Sequence, residues 1–184
     1  PGVNTGVANI DSDPELEIFA HGGLAGPVYA WNSDGSLVTG WPPDEESSGF
    51  AYAAAGNLAG SSSALELAVE YFNAATSAYD ALANPLPGWP LLHPWRHDTP
   101  PTLVDINGDG IDEIFTSQGD NKIFGFTADA HLAPGWPVEE SIAHYFKNIA
   151  VADLDQNGDL ELVAGAGYGI LFGDVLFAYH HDGS

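Results

Sequence analysis

A repeat constrains this chain more than any other feature. The segment Ala8 to Ala20, ANIDSDPELEIFA, returns as VDINGDGIDEIFT at Val104 to Thr116 and as ADLDQNGDLELVA at Ala152 to Ala164. Steps of 48 residues lead from Asn9 to Asn57, Asp105 and Asp153, and the copy at Asn57 keeps the flanking pattern while losing most of its carboxylates. A second marker, Gly-Trp-Pro, follows at residues 40–42, 88–90 and 135–137. A fourth would fall near Ser184, so the sequence holds fewer than four full periods. A period of this length points to stacked supersecondary units, none of which can bury its apolar face alone.

Inside each copy the apolar residues alternate or form short β-rich runs, and the i, i+3, i+4 spacing of an amphipathic helix is missing. In the third copy Thr102 to Ile106, Ile111 to Ser117 and Lys122 to Thr127 read as strands. Asn107-Gly108-Asp109-Gly110 and Gly119-Asp120-Asn121 read as turns between them. Val28 to Trp31 and Val175 to Tyr179 are the matching third strands of the first and fourth copies, with turns at Ser33-Asp34-Gly35 and His181-Asp182-Gly183. A fourth strand is expected near Gly-Trp-Pro. Four short antiparallel strands per repeat make an all-β array of about four propeller-like blades, near 1–48, 49–96, 97–144 and an incomplete 145–184, in one repeat domain. Such an array is either part of a larger propeller or completed by another chain. The Ala-rich stretch Ala53 to Ala83 falls in register and is expected to be a degenerate blade rather than a helix. A β-solenoid is the competing architecture, although its coils are shorter than this period.

The loop after each first strand carries the chemistry. Asp105, Asn107, Asp109 and Glu113 place side-chain oxygens at i, i+2, i+4 and i+8, as do Asp153, Asp155, Asn157 and Glu161, and Asn9, Asp11, Asp13 and Glu17. Alternate residues of a tight turn point to one side. Three oxygens therefore converge, the backbone carbonyl at i+6 (Glu15, Ile111, Asp159) can join them, and the acid at i+8 closes the cage. Hard oxygen donors, flexible in number, suit calcium better than magnesium. The second copy offers only Asn57, Ala59, Ser61 and Ser63, and one extra residue displaces Glu66. An EF-hand needs a glutamate at loop position 12, where Thr116 and Ala164 stand, and flanking helices that are absent. Bare Asx turns without an ion are common for one such motif, but three copies in one register favour metal.

These residues resemble the FG-GAP or VCBS-type repeats of integrin-alpha-like β-propellers. The resemblance rests on VADLDQNGDLELVAGAG and LVDINGDGIDEIF, and on VYAWNSDGSLVTGWP as the second half of a blade. It implies calcium at about three sites, in the loops beginning at Asn9, Asp105 and Asp153. Members usually close a ring of about seven blades, more than this chain holds.

Composition then excludes function classes. Asp and Glu number 26 against 3 Lys plus Arg, a net charge of −23, so Arg96, Lys122 and Lys147 cannot neutralise a run of phosphates. Nucleic acid and anionic lipid are excluded as partners, and metal cations are favoured. There is no cysteine, hence no disulfide and no thiolate chemistry. No apolar run is long enough to span a membrane, and Pro1 to Ile10 lacks the layout of a signal peptide. A chain without methionine is a processed protein or a piece of a longer one.

Other features carry less. His93 and His97 sit among prolines that forbid a helix and read as loop residues, and His180 and His181 as a surface turn. Trp41, Trp89 and Trp136 recur once per repeat and read as packing between blades, with a glycan platform as the alternative. Glu139 and Glu140, like Asp44 to Glu46, read as solvated acids. No nucleophile or phosphate-binding motif is present. The sequence thus favours a non-enzymatic, calcium-stabilised extracellular repeat protein, secreted or at the cell surface. It would serve adhesion or self-assembly through an open blade edge. The alternative is a carbohydrate-binding or scaffolding module of a larger secreted enzyme such as a polysaccharide lyase.

Overall fold

The computed structural model describes residues 4–22, 26–44, 50–60, 64–72, 75–94, 99–118, 121–141, 145–167 and 174–184. These residues form four antiparallel sheets and no helix. The first sheet is β1 (Thr5–Ala8), β2 (Glu17–His21) and β3 (Val28–Trp31). The second is β4 (Ala51–Gly56), β5 (Glu66–Tyr71), β6 (Ala75–Tyr79) and β7 (Leu91–Leu92). The third is β8 (Thr102–Val104), β9 (Glu113–Gln118), β10 (Lys122–Phe126) and β11 (Val138–Glu139), and the fourth is β12 (Tyr145–Ala152), β13 (Glu161–Gly167) and β14 (Asp174–Tyr179). Each sheet is a simple meander, and the all-β, propeller-like reading of the repeat holds. The Ala-rich stretch is strand, as its register required.

Two strands are shorter than their apolar runs suggest, for one reason. β8 stops at Val104 because the next amide but one, Ile106 N–H, donates to the Glu113 side chain instead of a neighbouring strand, at 3.1 Å. β9 starts at Glu113 because Ile111 N–H donates to Asp109 Oδ1 and Asp112 N–H to the Asn57 carbonyl. The loop claims these backbone groups before the sheet can. The expected fourth strand follows Gly-Trp-Pro directly in the second and third sheets, as β7 and β11. In the first, residues 45–49 lie outside the described residues, as does most of the turn expected at Gly119 to Asn121.

The core consists of three slabs, one between each pair of consecutive sheets. Phe19, Val28 and Ala30 of the first sheet meet Leu67, Val69 and Tyr79 of the second. Ala68 and Ala78 meet Ile114 and Phe126 of the third. Phe115 and Ile123 meet Phe146, Leu162 and Tyr179 of the fourth. A strand whose two faces enter different slabs is buried throughout, which explains why all six residues of β5 are buried.

Each Gly-Trp-Pro locks one sheet to the next. Trp41 Nε1 donates to the Ala81 carbonyl (3.1 Å), Trp89 to Ala128 (2.8 Å) and Trp136 to His181 (3.4 Å). Each indole also meets, edge to face, the ring that ends the next sheet's third strand: Tyr79, Phe126 and Tyr179, at 5.9, 6.0 and 6.1 Å. The glycine before each tryptophan has a left-handed φ of 84 to 91°, and a Cβ there would strike the backbone carbonyl of Leu82, Asp129 or Asp182. Only glycine meets both demands.

Candidate metal centres

An up-and-down meander puts the loop after each first strand and the turn after each third strand at the same end of the blade. The carboxylates of the chain concentrate there. In the first loop Asp11, Asp13 and Glu17 each offer an oxygen within 4.8 Å of the others. Asx turns shape the loop: Asp13 N–H donates to Asp11 Oδ1 and Glu15 N–H to Asp13 Oδ1, both at 2.9 Å. Asn9 Nδ2 donates to the Asp13 carbonyl (2.7 Å). Glu17 has no exposed surface, and its Oε2 accepts Ile10 N–H at 2.8 Å. Its Oε1 and the Asn9 Oδ1 are buried and have no hydrogen-bond partner. Burial pushes the Glu17 carboxyl up, the Ile10 amide opposes this, and Asp11 and Asp13 add to the rise. Two orphaned buried oxygens beside two further carboxylates fit a hard cation.

The fourth loop gathers in the same way. Asp153, Asp155 and Glu161 bring oxygens within 4.8 Å of one another. Asn157 N–H is shared by Asp153 Oδ1 and Asp155 Oδ1 (both 3.1 Å), and Asp159 N–H donates to Asn157 Oδ1 (2.6 Å). Glu161 Oε2 accepts Leu154 N–H (2.8 Å), and its Oε1 lies 3.3 Å from His180 Nδ1. His180 is therefore more than a surface-turn residue, because it touches a candidate ligand.

The third loop does not gather among the described residues. Asp105 is turned inward, where its two oxygens accept the amides of Gly108, Asp109 and Gly110 at 2.7 to 3.0 Å. Glu113 Oε1 is taken by Asn107 Nδ2 (2.7 Å). Glu113 is buried, and burial together with repulsion from Asp109, Asp105 and Asp112 pushes its carboxyl up to about 7 against the lowering effect of the Ile106 amide. The carbonyl-position residues Glu15, Ile111 and Asp159 all have exposed side chains, as expected of residues that would contribute only backbone oxygen.

The second loop shows what sequence reasoning missed. Glu66, although shifted by one residue, accepts the amides of Leu58 (2.8 Å) and Ala59 (3.0 Å), the same service that Glu17, Glu113 and Glu161 perform for Ile10, Ile106 and Leu154. The glutamate that opens each second strand is first a staple that ends the loop. The signal was present: Glu recurs there in all four copies, including the one without ligands. Asn57 has another task, donating through Nδ2 to the Gly110 carbonyl (2.7 Å) and through its amide to Asp112 (2.8 Å), so the second loop clamps the third. Ser61 and Ser63 lie outside the described residues.

Residues 100–164, which contain the third and fourth loops, match the FG-GAP-like repeat family. The fold of the chain resembles the biofilm matrix protein Bap1 of V. cholerae, with a TM-score of 0.53 at 17% identity over 98% of this chain and 38% of that one. It also resembles BBS1N, solved in complex with ARL6DN and soaked with lead, with a TM-score of 0.64 at 12% identity over 100% of this chain and 55% of that one. The chain thus spans about two fifths to about half of the length of these structures. No curated protein matches it in sequence.

Several of the remaining candidates make packing or hydrogen-bond contacts among the described residues. Trp41, Trp89 and Trp136 are 4 to 7% exposed and offer no face to a sugar. Glu140 accepts the Tyr179 hydroxyl (3.1 Å), and Glu139 pairs with Lys122 at 3.6 Å. His93 Nε2 lies 2.9 Å from Thr76 Oγ1, which donates to the buried Glu70 at 3.0 Å. Asp44 is exposed, while Glu45, Glu46, Arg96 and His97 lie outside the described residues. Among the described residues no helix is long and apolar enough to cross a membrane.

Proposed function

We propose that this chain is a calcium-stabilised, non-enzymatic repeat module of an extracellular protein, working in adhesion or assembly. The observation that carries the reading is the first loop: Glu17 Oε1 and Asn9 Oδ1, buried and unpaired, beside Asp11 and Asp13. In that loop Asn9, Asp11, Asp13, the Glu15 carbonyl and Glu17 would hold the ion. In the fourth, Asp153, Asp155, Asn157, the Asp159 carbonyl and Glu161 would do so. A third ion at Asp105, Asn107, Asp109, the Ile111 carbonyl and Glu113 requires Asn107 to turn its amide nitrogen away from Glu113 Oε1. The metal supplies charge neutralisation and cross-links each loop. The protein supplies the staple glutamates and Asx turns that hold the oxygens close before the ion arrives.

An extracellular setting is favoured because loops of this class bind calcium at about 0.1 to 1 mM, the range found outside cells. The fold likeness to a biofilm matrix protein is consistent with an adhesive or matrix role. The test is thermal unfolding with light scattering, in excess chelator and in about 1 mM calcium. Each occupied site is expected to add about 0.4 to 1.4 kcal/mol, or about 1 to 5 °C in a chain of this size. Asp11→Ala combined with Asp153→Ala should remove most of the gain. Equal melting temperatures in chelator and calcium would overturn the metal reading, and unchanged scattering would count against assembly.

A further inference from the structure

We propose that the groove between the second and third sheets, at the loop end of the blades, receives the aliphatic stem and cationic head of a lysine or arginine side chain presented by a partner protein. This deepens the assembly role proposed above by naming the partner's chemistry, and rests on that reading for its purpose.

The second loop is the one that lost its carboxylates. It carries Leu58 and Ala59 after Asn57, and Ala59 stands where the other copies have Asp11, Asn107 and Asp155. The loop keeps its staple, Glu66, and its clamp, Asn57, while supplying too few oxygens for an ion. What it gains is an apolar wall. Leu58 and Ala59, with Leu86 and Pro87 just ahead of the tryptophan latch, line one side of a groove of about 450 Å³. The facing side comes from the third sheet, through Asp109, Ile111 and Glu113 of its loop and the turn at Asp129. Sites for small ligands occupy about 300 to 1,000 Å³, so the space is ample for a long side chain.

The two sides differ in chemistry. Asp109 and Asp129 stand exposed on the third-sheet side. Thr127 Oγ1 donates to Asp129 Oδ1 at 2.6 Å, and His131 Nδ1 lies 3.2 Å from Asp129 Oδ2. Glu113 is buried, and its oxygens are taken by Ile106 N–H and Asn107 Nδ2. A bare metal ion would leave the apolar surface of Leu58, Leu86 and Ile111 uncovered. A methylene stem that ends in a positive charge matches both sides, with its carbons along the second sheet and its head at the carboxylates. Two bonds across the groove set its width before a partner arrives: Asn57 Nδ2 to the Gly110 carbonyl (2.7 Å) and Trp89 Nε1 to the Ala128 carbonyl (2.8 Å). A second copy is a poor occupant, because two chains of net charge −23 repel and each has only 3 Lys plus Arg to offer.

The probe is a capped tripeptide with arginine between two alanines, compared with the same peptide carrying norleucine, which keeps the stem and lacks the charge. Each is titrated into the full chain in chelator and followed by methyl NMR, at about 150 mM sodium chloride, where a Debye length of about 8 Å screens diffuse attraction to the acidic surface. Shifts are expected at Leu58, Leu86 and Ile111, with the arginine peptide binding at least about tenfold more tightly than the norleucine one. Asp129→Asn should weaken it, and Ala59→Phe, which fills the groove from an exposed position, should abolish it. The comparison of the two peptides needs no variant, so it stands even if a substitution disturbs folding. Equal binding of the two peptides overturns the proposal. Shifts centred on Ile10 and Leu154, beside the first and fourth loops, overturn it as well. So do shifts at the groove that grow with protein concentration in the absence of peptide, since a second copy would then be the occupant. Failure of the groove leaves any calcium-dependent melting shift and scattering intact, whereas failure of the metal or assembly reading leaves the peptide titration in chelator unchanged.

Discussion

A buried carboxylate that accepts one amide and leaves its other oxygen bare is the residue on which this protein turns. Glu17 does two jobs, and substitutions separate them. Glu17→Ala removes the acceptor for Ile10 N–H in a buried place and is expected to cost about 1–3 kcal/mol in chelator. Glu17→Gln keeps an acceptor and removes the charge. It is expected to melt at or above the parent in chelator and to lose the calcium gain at that loop, which paired calorimetry in the two buffers would check. Protonation tests the same physics at Glu113. Its carboxyl ordinarily titrates at 4.5 and is pushed up to about 7 in the fold. Between those values the unfolded chain has lost the proton and the folded chain still holds it. Its contribution is thus complete below about pH 4.5 and is lost as pH rises through about 7. Asp34, Asp129 and Asp182 act oppositely, since hydrogen bonds from Ser36, Thr127 and Ser184 hold them below the ordinary 3.8. Their contribution is present above that value and fades as pH falls through their lower folded values. Denaturant midpoints in chelator should therefore peak near pH 4–5 and fall toward pH 7. An ion in the third loop would keep Glu113 ionised and flatten that fall.

At the level of the blade, the repeated element is a strand pair plus two closures: a glutamate staple at the loop and a glycine-tryptophan latch to the neighbour. The latch depends on a backbone that can approach another backbone. A Cβ on Gly135 would run into the Asp182 carbonyl, and its φ is 84°. Gly135→Ala is accordingly expected to destabilise by about 2–4 kcal/mol, through left-handed strain together with separation of the third and fourth sheets. Urea unfolding is the measurement. Gly35→Ala is the comparison, because it also has a positive φ, 86°, but meets nothing within 4 Å, so it should cost about 1 kcal/mol.

For the whole molecule, net charge of −23 on 184 residues means that every folded state must work against self-repulsion. In chelator, raising sodium chloride from about 10 to 150 mM shortens the Debye length from about 30 to 8 Å. The melting temperature should rise with it, and this salt effect should shrink once calcium has neutralised the loops. The repeat period, the alternation of apolar residues and the Asp-x-Asn-x-Asp spacing were enough to determine the blades, their antiparallel strands and the loops that bear carboxylates. These features are local: strand alternation and Asx turns depend on residues within a few positions of one another. The strands of the Ala-rich stretch Ala53 to Ala83 also followed from register, although its composition suggests helix. What the sequence could not show is which carboxylates converge. Asp11, Asp13 and Glu17 gather, as do Asp153, Asp155 and Glu161, while Asp105, Asp109 and Glu113, in nearly the same pattern, do not; in that loop Asn107 Nδ2 takes the free oxygen of Glu113. Nor could it show that Glu66 keeps its staple or that Asn57 clamps a loop 53 residues away at Gly110. Those outcomes depend on what a neighbouring sheet places against each residue, and only tertiary packing brings such distant groups into competition for the same hydrogen bonds and the same apolar surface.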